Sequence, residues 1–448
     1  MLELPFITAV LTVPGFSWHP DQTAATSFQP DPSILSIGLV LDGERVAWGV
    51  CPFVPGRPFD IDTARNSIEQ HVAPALQGER LANFRDLAAK IDALTETVTV
   101  HEPLPQPEDD NQAAKFSRRD LFSGRLWSAG RGGSPGKPGL PNHRLHDPTV
   151  AALLTREITV KRPIDAAIRY GVSQALLAAV ATMQNKTPAE MVAAEYDVPG
   201  PLAAVASHAW VRPPAGDAAP AVSALLSRQV ASLGYTIAAN NDKAPPGVSA
   251  ESVQQQVRWL QTQIAAAGPA YEPVIHLDLK GEFGRLFDAN PGKILGALVG
   301  LEQAAAPYPV RVVDPAVMDS RPAQIKILRQ LKGYLRLRRM RLQLAASAWV
   351  DSSVAVADFI EAEAVHAIQL NTPQLGSLHN TIEAVLAGRE QGMATLLAGN
   401  GWDDGHSARI LAHVALAVRP ELIIAAEGAG GTALLDNEMA RTLAGLKQ

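Results

Sequence analysis

The carboxyl-terminal half of this chain alternates short apolar segments with longer segments of helical periodicity. Six apolar segments have the length of buried strands, and they span residues 274–279, 310–313, 342–346, 367–370, 394–398 and 422–426. Parallel strands need helical crossovers between them, so this alternation predicts a parallel sheet flanked by helices. Six or more such units over roughly 240 residues suit a closed α/β barrel better than an open sheet.

The first hundred residues predict a smaller α+β domain. Strand-like segments at 6–13, 34–41 and 46–51 are joined in part by Asp42-Gly43, a strong hairpin signal. Helical periodicity follows at 63–76 and 83–94, and Pro74 is expected to end or bend the first of these helices. Three antiparallel strands followed by helices indicate a capping domain over residues 1–100.

Residues 101–148 are dominated by proline, glycine and charged side chains. Such a composition buries too little apolar surface to order itself, so this segment is interpreted as an insertion or linker between the cap and a barrel over 149–448. Two hypotheses remain for it. It is either a mobile surface loop or a partner-binding segment anchored by Phe116, Phe122 and Trp127.

Charge and cysteine content narrow the expected partners and compartment. The net charge of the 448 residues is -6, which argues against nucleic acid as a partner. Cys51 is the single cysteine, so an internal disulfide is excluded and a reducing, cytoplasmic compartment is expected. The apolar run between Pro5 and Pro14 is too short to span a bilayer and lacks a basic flank, so no membrane association is expected.

Three blocks of sequence occur in the order found in a known family. Residues 35–51 read LSIGLVLDGERVAWGVC, residues 276–281 read HLDLKG, and residues 364–386 read AVHAIQLNTPQLGSLHNTIEAVL. These blocks resemble the cap sheet, an early barrel strand and a late barrel strand of the methylaspartate ammonia-lyase family of the enolase superfamily. The resemblance implies a TIM-like (β/α) barrel with an N-terminal α+β enolase-type capping domain. It also implies a site at the carboxyl ends of the barrel strands.

The resemblance further implies a Mg²⁺ ion held by carboxylates on three successive strands, which stabilises an enolate-type anion. Asp278 matches the first carboxylate. At the second, the family's Arg-Ile-Glu-Gly-Pro pattern aligns with residues 311–315, so Asp314 comes one step late and should face the other side unless the strand end twists. At the third, Ser347-Ala-Trp replaces Asp-Glu-Trp. Asp278 and Asp314 are therefore candidate ligands of a Mg²⁺ ion whose presence stays open.

The same resemblance assigns candidate catalytic residues. The family's lysine base falls on Asn371, whose amide cannot remove a proton from carbon, and its opposing histidine base aligns with Tyr235. Lys280 is a candidate replacement base, or it forms an ion pair with Asp278 that closes the pocket. The catalytic candidates are Lys280, Tyr235 and Asn371.

Four further positions are candidate substrate contacts. The resemblance retains the family's glutamine as Gln369 and its threonine as Thr372, places Trp210 where the family has another glutamine, and replaces a Thr-Cys pair with Asn400-Gly401. His276 lies on the same strand face as Asp278 and is expected to be satisfied by a backbone carbonyl.

Two functions remain open from the sequence. The first is a divergent lyase that acts on a small carboxylate or amino-acid-like substrate, as a monomer or a homodimer. The second is a catalytically inactive enolase-like barrel that serves as a ligand-binding or protein-interaction scaffold. Three carboxylates within about 5 Å of a common point would favour metal-dependent chemistry.

Overall fold

A computed structural model describes residues 5–14, 34–43, 45–52, 60–103, 155–211, 219–237, 248–399, 405–424 and 431–446. The described residues fall into two compact units. One unit contains the chain up to Leu94 and again from Pro163 onward, and the other is Thr95–Arg162.

The larger unit begins with the expected meander of three antiparallel strands: β1 (Ile7–Pro14), β2 (Leu35–Leu41) and β3 (Arg45–Cys51). Asp42 and Gly43 have φ angles of 51° and 80°, so the hairpin between β2 and β3 has the left-handed turn that this dipeptide favours. All three predicted cap strands are confirmed.

Helices follow the meander: α1 (Ile61–Ser67), a π-helical turn (Ile68–Val72), α2 (Ala73–Leu76) and α3 (Phe84–Asp92). Of the two outcomes expected at Pro74, an end or a bend of the helix, the helix does not end there. Pro74 lies in the first turn of α2, where the backbone N–H that proline lacks is not needed. The π turn immediately before it supplies the local change in winding that accommodates the ring.

The smaller unit contains β4 (Thr95–Pro103) and β5 (Thr155–Pro163), which form a two-stranded sheet. These strands flank the predicted insertion, of which residues 104–148 lie outside the described residues. The two interpretations of that segment therefore remain predictions.

Eight parallel strands close into a barrel, which confirms the predicted fold. In chain order the barrel strands are β6 (Ser207–Trp210), β7 (Ser232–Thr236), β8 (Val274–Asp278), β9 (Val310–Val313), β10 (Gln343–Ala346), β11 (Ala367–Asn371), β12 (Ala394–Ala398) and β13 (Leu422–Ile424). The last six correspond to the six predicted segments. The first two are additional.

Helices surround the barrel. They are α4 (Ala166–Met183), α5 (Pro188–Glu195), α6 (Ala219–Ser227), α7 (Ala250–Ala266), α8 (Glu282–Leu286), α9 (Pro291–Ala305), α10 (Arg321–Leu337), α11 (Ser353–Glu361), α12 (Leu378–Glu390), α13 (Gly405–Val418) and α14 (Gly431–Gly445). Among the described helices, α4 is long and apolar enough to cross a membrane, but 78% of its apolar stretch is buried inside the protein. It therefore has the surroundings of a core helix.

Close contact between α4 and the cap sheet depends on two glycines. A Cβ atom on Gly49 would lie 1.9 Å from the carbonyl oxygen of Gly171, and one on Gly171 would lie 2.6 Å from the Cys51 sulfur. Because neither glycine has a side chain, strand β3 packs directly on the helix backbone. This contact fixes the cap sheet against the helix that leads into the barrel.

Asp92 supplies a polar link between the cap and the barrel. Its carboxylate accepts hydrogen bonds from Arg169 Nη1 at 2.7 Å and from the backbone N–H of Ser377 at 3.2 Å, and also from the Ser377 hydroxyl. The side chains of Asp92 and Arg169 are each only 14% exposed. One residue at the end of α3 thus joins the start of α4 to the turn before α12.

Replacing Asp92 with alanine should lower the free energy of unfolding by about 2–3 kcal/mol, because it removes charge-assisted hydrogen bonds and leaves the largely buried Arg169 guanidinium without this partner. Urea denaturation measures the change. Glu69→Ala is the control, since the Arg65–Glu69 pair is exposed and should be worth less than about 0.5 kcal/mol. Equal effects of the two substitutions would contradict the assigned link.

Candidate functional site

Polar side chains gather where four neighbouring barrel strands end. Asp278 is the last residue of β8, Asp314 follows β9, Ser347 follows β10, and Asn371 is the last residue of β11. The Asn371 side-chain amide donates to the Ser347 hydroxyl at 2.9 Å. These four residues together with Lys280 are called the mouth cluster below. It lies at the carboxyl end of the barrel, as the sequence predicts.

Lys280 forms an ion pair with Asp278. The strand ends at Asp278, and Lys280 and Gly281 then adopt left-handed conformations with φ of 49° and 83°, which turn the chain back over the strand end. The Lys280 ammonium lies 2.5 Å from Asp278 Oδ2, and the backbone N–H of Lys280 donates to Asp278 Oδ1 at 3.2 Å. The lysine side chain is 47% exposed and the aspartate 2%. Lys280 thus forms the ion pair with Asp278 that the sequence offered as the alternative to a catalytic base.

That ion pair bears on the predicted role of Lys280 as a base. A carboxylate at this distance stabilises the charged ammonium, which can donate a proton but cannot accept one. The geometry therefore suits Lys280 to holding or stabilising negative charge.

Asp314 faces the mouth despite its late position in the sequence. Its φ of 43° turns the chain at the end of β9, so the strict alternation of strand faces no longer applies to it. Its carboxylate accepts from the N–H of Ser347 at 3.2 Å and of Ala348 at 2.7 Å. Burial, and then the negative charge of Asp278, raise the pKa of Asp314 to about 7, although these two N–H groups oppose the shift. The strand end is twisted at Asp314, which is the alternative that the sequence left open.

Three residues at this end of the barrel have a positive φ without being glycine. Lys280, Asp314 and Trp349 each follow one of three adjacent strands, and they are three of the twelve such residues in the described part of the chain. These conformations turn the chain sharply where each strand ends.

Two predicted site residues have partners away from the mouth. The hydroxyl of Tyr235 donates to the Val253 carbonyl of α7 at 3.1 Å, and burial raises its pKa. Strand alternation directs Tyr235 outward, while its neighbours Gly234 and Thr236 occupy the inward positions. The structure therefore does not bring Tyr235 to the mouth as a base. The Thr372 hydroxyl donates to the Tyr170 hydroxyl of α4 at 3.3 Å, which gives it an anchoring contact.

Below the mouth, the barrel interior holds a second group of polar and aromatic side chains, His208, Trp210, His276 and Gln369, called the interior cluster. The His208 ring centre lies 4.8 Å from that of His276, and Trp210 stands edge-on to both imidazoles. Burial lowers the pKa of His208 to about 3 and the pKa of His276 well below its usual value.

The surroundings of His276 differ from the expectation. Neither of its ring nitrogens has a hydrogen-bond partner in the part of the chain that the structure describes, so a backbone carbonyl does not satisfy it. Gln369 lies close enough to the His276 ring to raise its pKa, against the larger lowering by burial. Its Oε1 nevertheless lacks a partner with hydrogen-bond geometry among those residues. The sequence pattern does not predict His208 as a site residue, because β6 lacks the apolar run that marks a buried strand.

The described residues do not fit a Mg²⁺ site of three carboxylates. Asp278 is paired with an ammonium, Asp314 is held by backbone N–H groups, and the third position is Ser347, whose hydroxyl accepts from Asn371. Over the described ranges, no group of three or more histidine, cysteine, aspartate or glutamate side chains could hold a metal ion. Mg²⁺ is bound through carboxylate oxygens with water completing its octahedron, and here an ammonium and backbone N–H groups already occupy the two carboxylates. Asn400 lies outside the described residues, and its predicted role is untested.

Comparison with known proteins identifies the family. Residues 215–448 match the family model for the methylaspartate ammonia-lyase C-terminus, and residues 146–197 match that for its N-terminus. Methylaspartate ammonia-lyase 2 of Carboxydothermus hydrogenoformans is 34% identical over 306 residues, which cover 67% of this chain and 72% of that protein. The chain belongs to the methylaspartate ammonia-lyase family of the enolase superfamily.

Solved structures of methylaspartate ammonia-lyases share the fold. The Citrobacter amalonaticus enzyme containing (2S,3S)-3-methylaspartic acid aligns with a TM-score of 0.72 at 23% identity, covering 99% of this chain and 100% of its own. The Clostridium tetanomorphum enzyme, solved as a Mg complex, aligns with a TM-score of 0.70 at 22% identity over 99% and 100% of the two chains. At these identities the likeness confirms the family fold and leaves the chemistry of this chain to its own residues.

Proposed function

We propose that this chain is a divergent lyase of the methylaspartate ammonia-lyase family. It acts at the barrel mouth on a small carboxylate or amino-acid-like substrate, with the ammonium of Lys280 as the resident positive charge instead of a metal ion. The 2.5 Å contact between Lys280 and Asp278 carries the proposal. Asp278 matches the position of a metal-binding carboxylate in the resemblance, and here it binds a cation supplied by the chain.

The proposed substrate class follows from charge and exposure. Lys280 is half exposed while Asp278 is buried, so the positive charge lies on the solvent side of the ion pair. A substrate carboxylate can form charge-assisted hydrogen bonds with such a group. Asn371 lies at the end of β11 with its amide oriented by Ser347, which places a second polar group at the same opening.

The proposed chemistry assigns Lys280 an electrostatic role. The carboxylate of Asp314, whose pKa is raised to about 7 at the mouth, accepts the proton from the carbon next to a substrate carboxylate, and the electron pair of the broken C–H bond moves negative charge onto the substrate carboxylate oxygens. The C–N bond of the neighbouring carbon then breaks, ammonia leaves with the electrons of that bond, and the double bond forms. A fixed ammonium stabilises this charge in the transition state more than in the ground state. Asp278 holds the ammonium in place, so little reorganisation is needed when charge develops.

A ligand-binding barrel without turnover is the second candidate. Asn371 stands where the family has a lysine base, and Tyr235, aligned with the other base, faces α7. Both observations favour binding without proton abstraction. The two candidates share the same ligand class and differ only in whether product forms.

The test is a turnover assay in the absence and presence of Mg²⁺. Protein dialysed free of Mg²⁺ is mixed with 3-methylaspartate, aspartate and related amino-acid carboxylates, and ammonia release and the ultraviolet absorbance of the unsaturated product are followed. We expect turnover of at least one substrate at a rate that added Mg²⁺ does not change. The Clostridium tetanomorphum enzyme, which was solved as a Mg complex, serves as the reference.

Turnover that appears only with Mg²⁺ would contradict the proposal and restore metal-dependent chemistry. Calorimetric binding of the same compounds without release of ammonia would establish the second candidate in its place.

A further inference from the structure

We propose that the interior cluster is a binding site for a divalent transition-metal ion such as Zn²⁺ or Co²⁺, with His208, His276 and Gln369 as the protein ligands. This site lies below the mouth cluster, and the inference does not depend on the proposed lyase function. It rests on the tautomer of His208, the spacing of the two imidazoles and the buried atoms that lack hydrogen-bond partners.

Ser232 sets the tautomer of His208. The Ser232 hydroxyl lies 3.2 Å from the Val274 carbonyl oxygen, which can only accept, so the single hydroxyl hydrogen is directed there. His208 Nδ1 lies 3.0 Å from the same hydroxyl, and with the hydroxyl hydrogen directed to Val274 we assign Nδ1 as the donor in that contact. A charged imidazolium would be costly in this buried position. The neutral ring then carries a lone pair on Nε2, and among the described residues this atom has no partner.

This arrangement is the usual one for a histidine that binds a metal. The ring nitrogen that points away from the ion donates to a fixed acceptor, which orients the ring. The other nitrogen presents its lone pair to the ion. Ser232 therefore acts here as a positioning residue for His208.

The spacing of the two imidazoles fits a shared ion. Two rings that bind one tetrahedral ion with metal–nitrogen distances of about 2.0–2.1 Å have their centres roughly 5 Å apart. The centres of His208 and His276 are 4.8 Å apart, and their planes are inclined by 53°. Both nitrogens of His276 and Oε1 of Gln369 are also without hydrogen-bond partners within the described ranges. Two imidazoles and one amide oxygen are three protein ligands, so a tetrahedral ion would take its fourth ligand from water or another small molecule.

The donor types select the class of metal. Imidazole nitrogen favours Zn²⁺, Co²⁺ and their neighbours in the transition series, whereas Mg²⁺ favours carboxylate, carbonyl and water oxygens.

His276 and Asp278 occupy alternate positions of β8 and so face the same side, which places the interior cluster one layer beneath the Lys280–Asp278 pair. Entry through the barrel mouth is therefore the direct route for an ion.

The test uses Co²⁺, whose coordination by nitrogen ligands gives visible absorption bands. Full-length protein is stripped of metal by a chelator, the chelator is removed, and Co²⁺ is titrated. We expect one equivalent to bind with visible bands, an excess of Mg²⁺ to leave those bands unchanged, and His208→Ala and His276→Ala to lose them. Ser232→Ala keeps both imidazoles and should weaken Co²⁺ binding about 10–100-fold, the usual effect of removing a group that orients a metal ligand.

His71→Ala is the matched control, because His71 lies on the π turn of the cap, and it should bind Co²⁺ as the wild type does. Circular dichroism checks that each variant is folded. Absence of Co²⁺ bands in the wild type, or equal bands in wild type and folded His208→Ala, would overturn the inference. If the histidine variants do not fold, unchanged Co²⁺ affinity in Ser232→Ala would overturn it instead.

Discussion

Substituting methionine for Lys280 is expected to lower kcat/KM by about 10²–10³-fold, which is the usual cost of removing one group that stabilises developing negative charge. Methionine keeps the length and flexibility of the side chain and removes only its charge. The loss should appear mainly in kcat, because the ammonium interacts more strongly with the transition state than with the substrate. Lys280→Arg retains the positive charge and should recover part of the activity.

Two further variants separate catalysis from folding. Lys293 is exposed in the first turn of α9, and Lys293→Met should leave kcat/KM unchanged. Because Lys280→Met leaves Asp278 buried without its ammonium, the double variant Asp278→Asn/Lys280→Met restores a neutral site and protects the fold. Activity close to wild type in either Lys280→Met or this double variant would show that the ion pair has no part in turnover.

The barrel could be predicted from the sequence because six of its strands are short apolar runs between helical segments. The first two barrel strands, β6 and β7, were missed for a physical reason. Their inward positions include His208, Ser232 and Gly234, so these strands lack the apolar run that marks a buried strand. A Cβ atom on Gly234 would lie 1.5 Å from the His276 carbonyl oxygen, and this close approach of two strands is likewise invisible in a hydrophobicity pattern.

The mouth cluster was predictable in its composition and only partly in its geometry. Polar residues at the ends of buried strands, such as Asp278 and Asn371, are not explained by packing, and this alone pointed to a site. The orientation of Asp314 depends on a positive φ that its sequence does not specify. For Tyr235 the family alignment predicts a catalytic base at the mouth. Strand alternation instead directs its side chain out of the barrel, where its hydroxyl bonds to α7.

The two interior histidines should make stability depend steeply on pH in acid. Burial lowers the folded-state pKa of His208 from 6.5 to about 3. A depressed histidine pKa contributes stability that is present above pH 6.5 and is lost as the pH falls toward 3. The loss is up to about 1.4 kcal/mol per pH unit. His276 is shifted in the same direction and adds to the effect.

Asp314 changes the free energy of unfolding with pH in the opposite direction, over much of the same pH range. Its folded-state pKa of about 7 lies above the usual 3.8, so it favours the folded state in acid and loses that contribution as the pH rises toward 7. The free energy of unfolding of the wild type therefore varies with pH as the sum of two opposing effects, and the difference in this free energy between wild type and variant is the informative quantity.

Urea unfolding of metal-free wild type and His208→Gln from pH 7 to pH 4 isolates the contribution of the histidine. The free-energy gap between them should shrink by several kcal/mol as the pH falls. His71→Ala should keep the wild-type slope, and a gap for His208→Gln that stays constant with pH would show that His208 is not held neutral by burial.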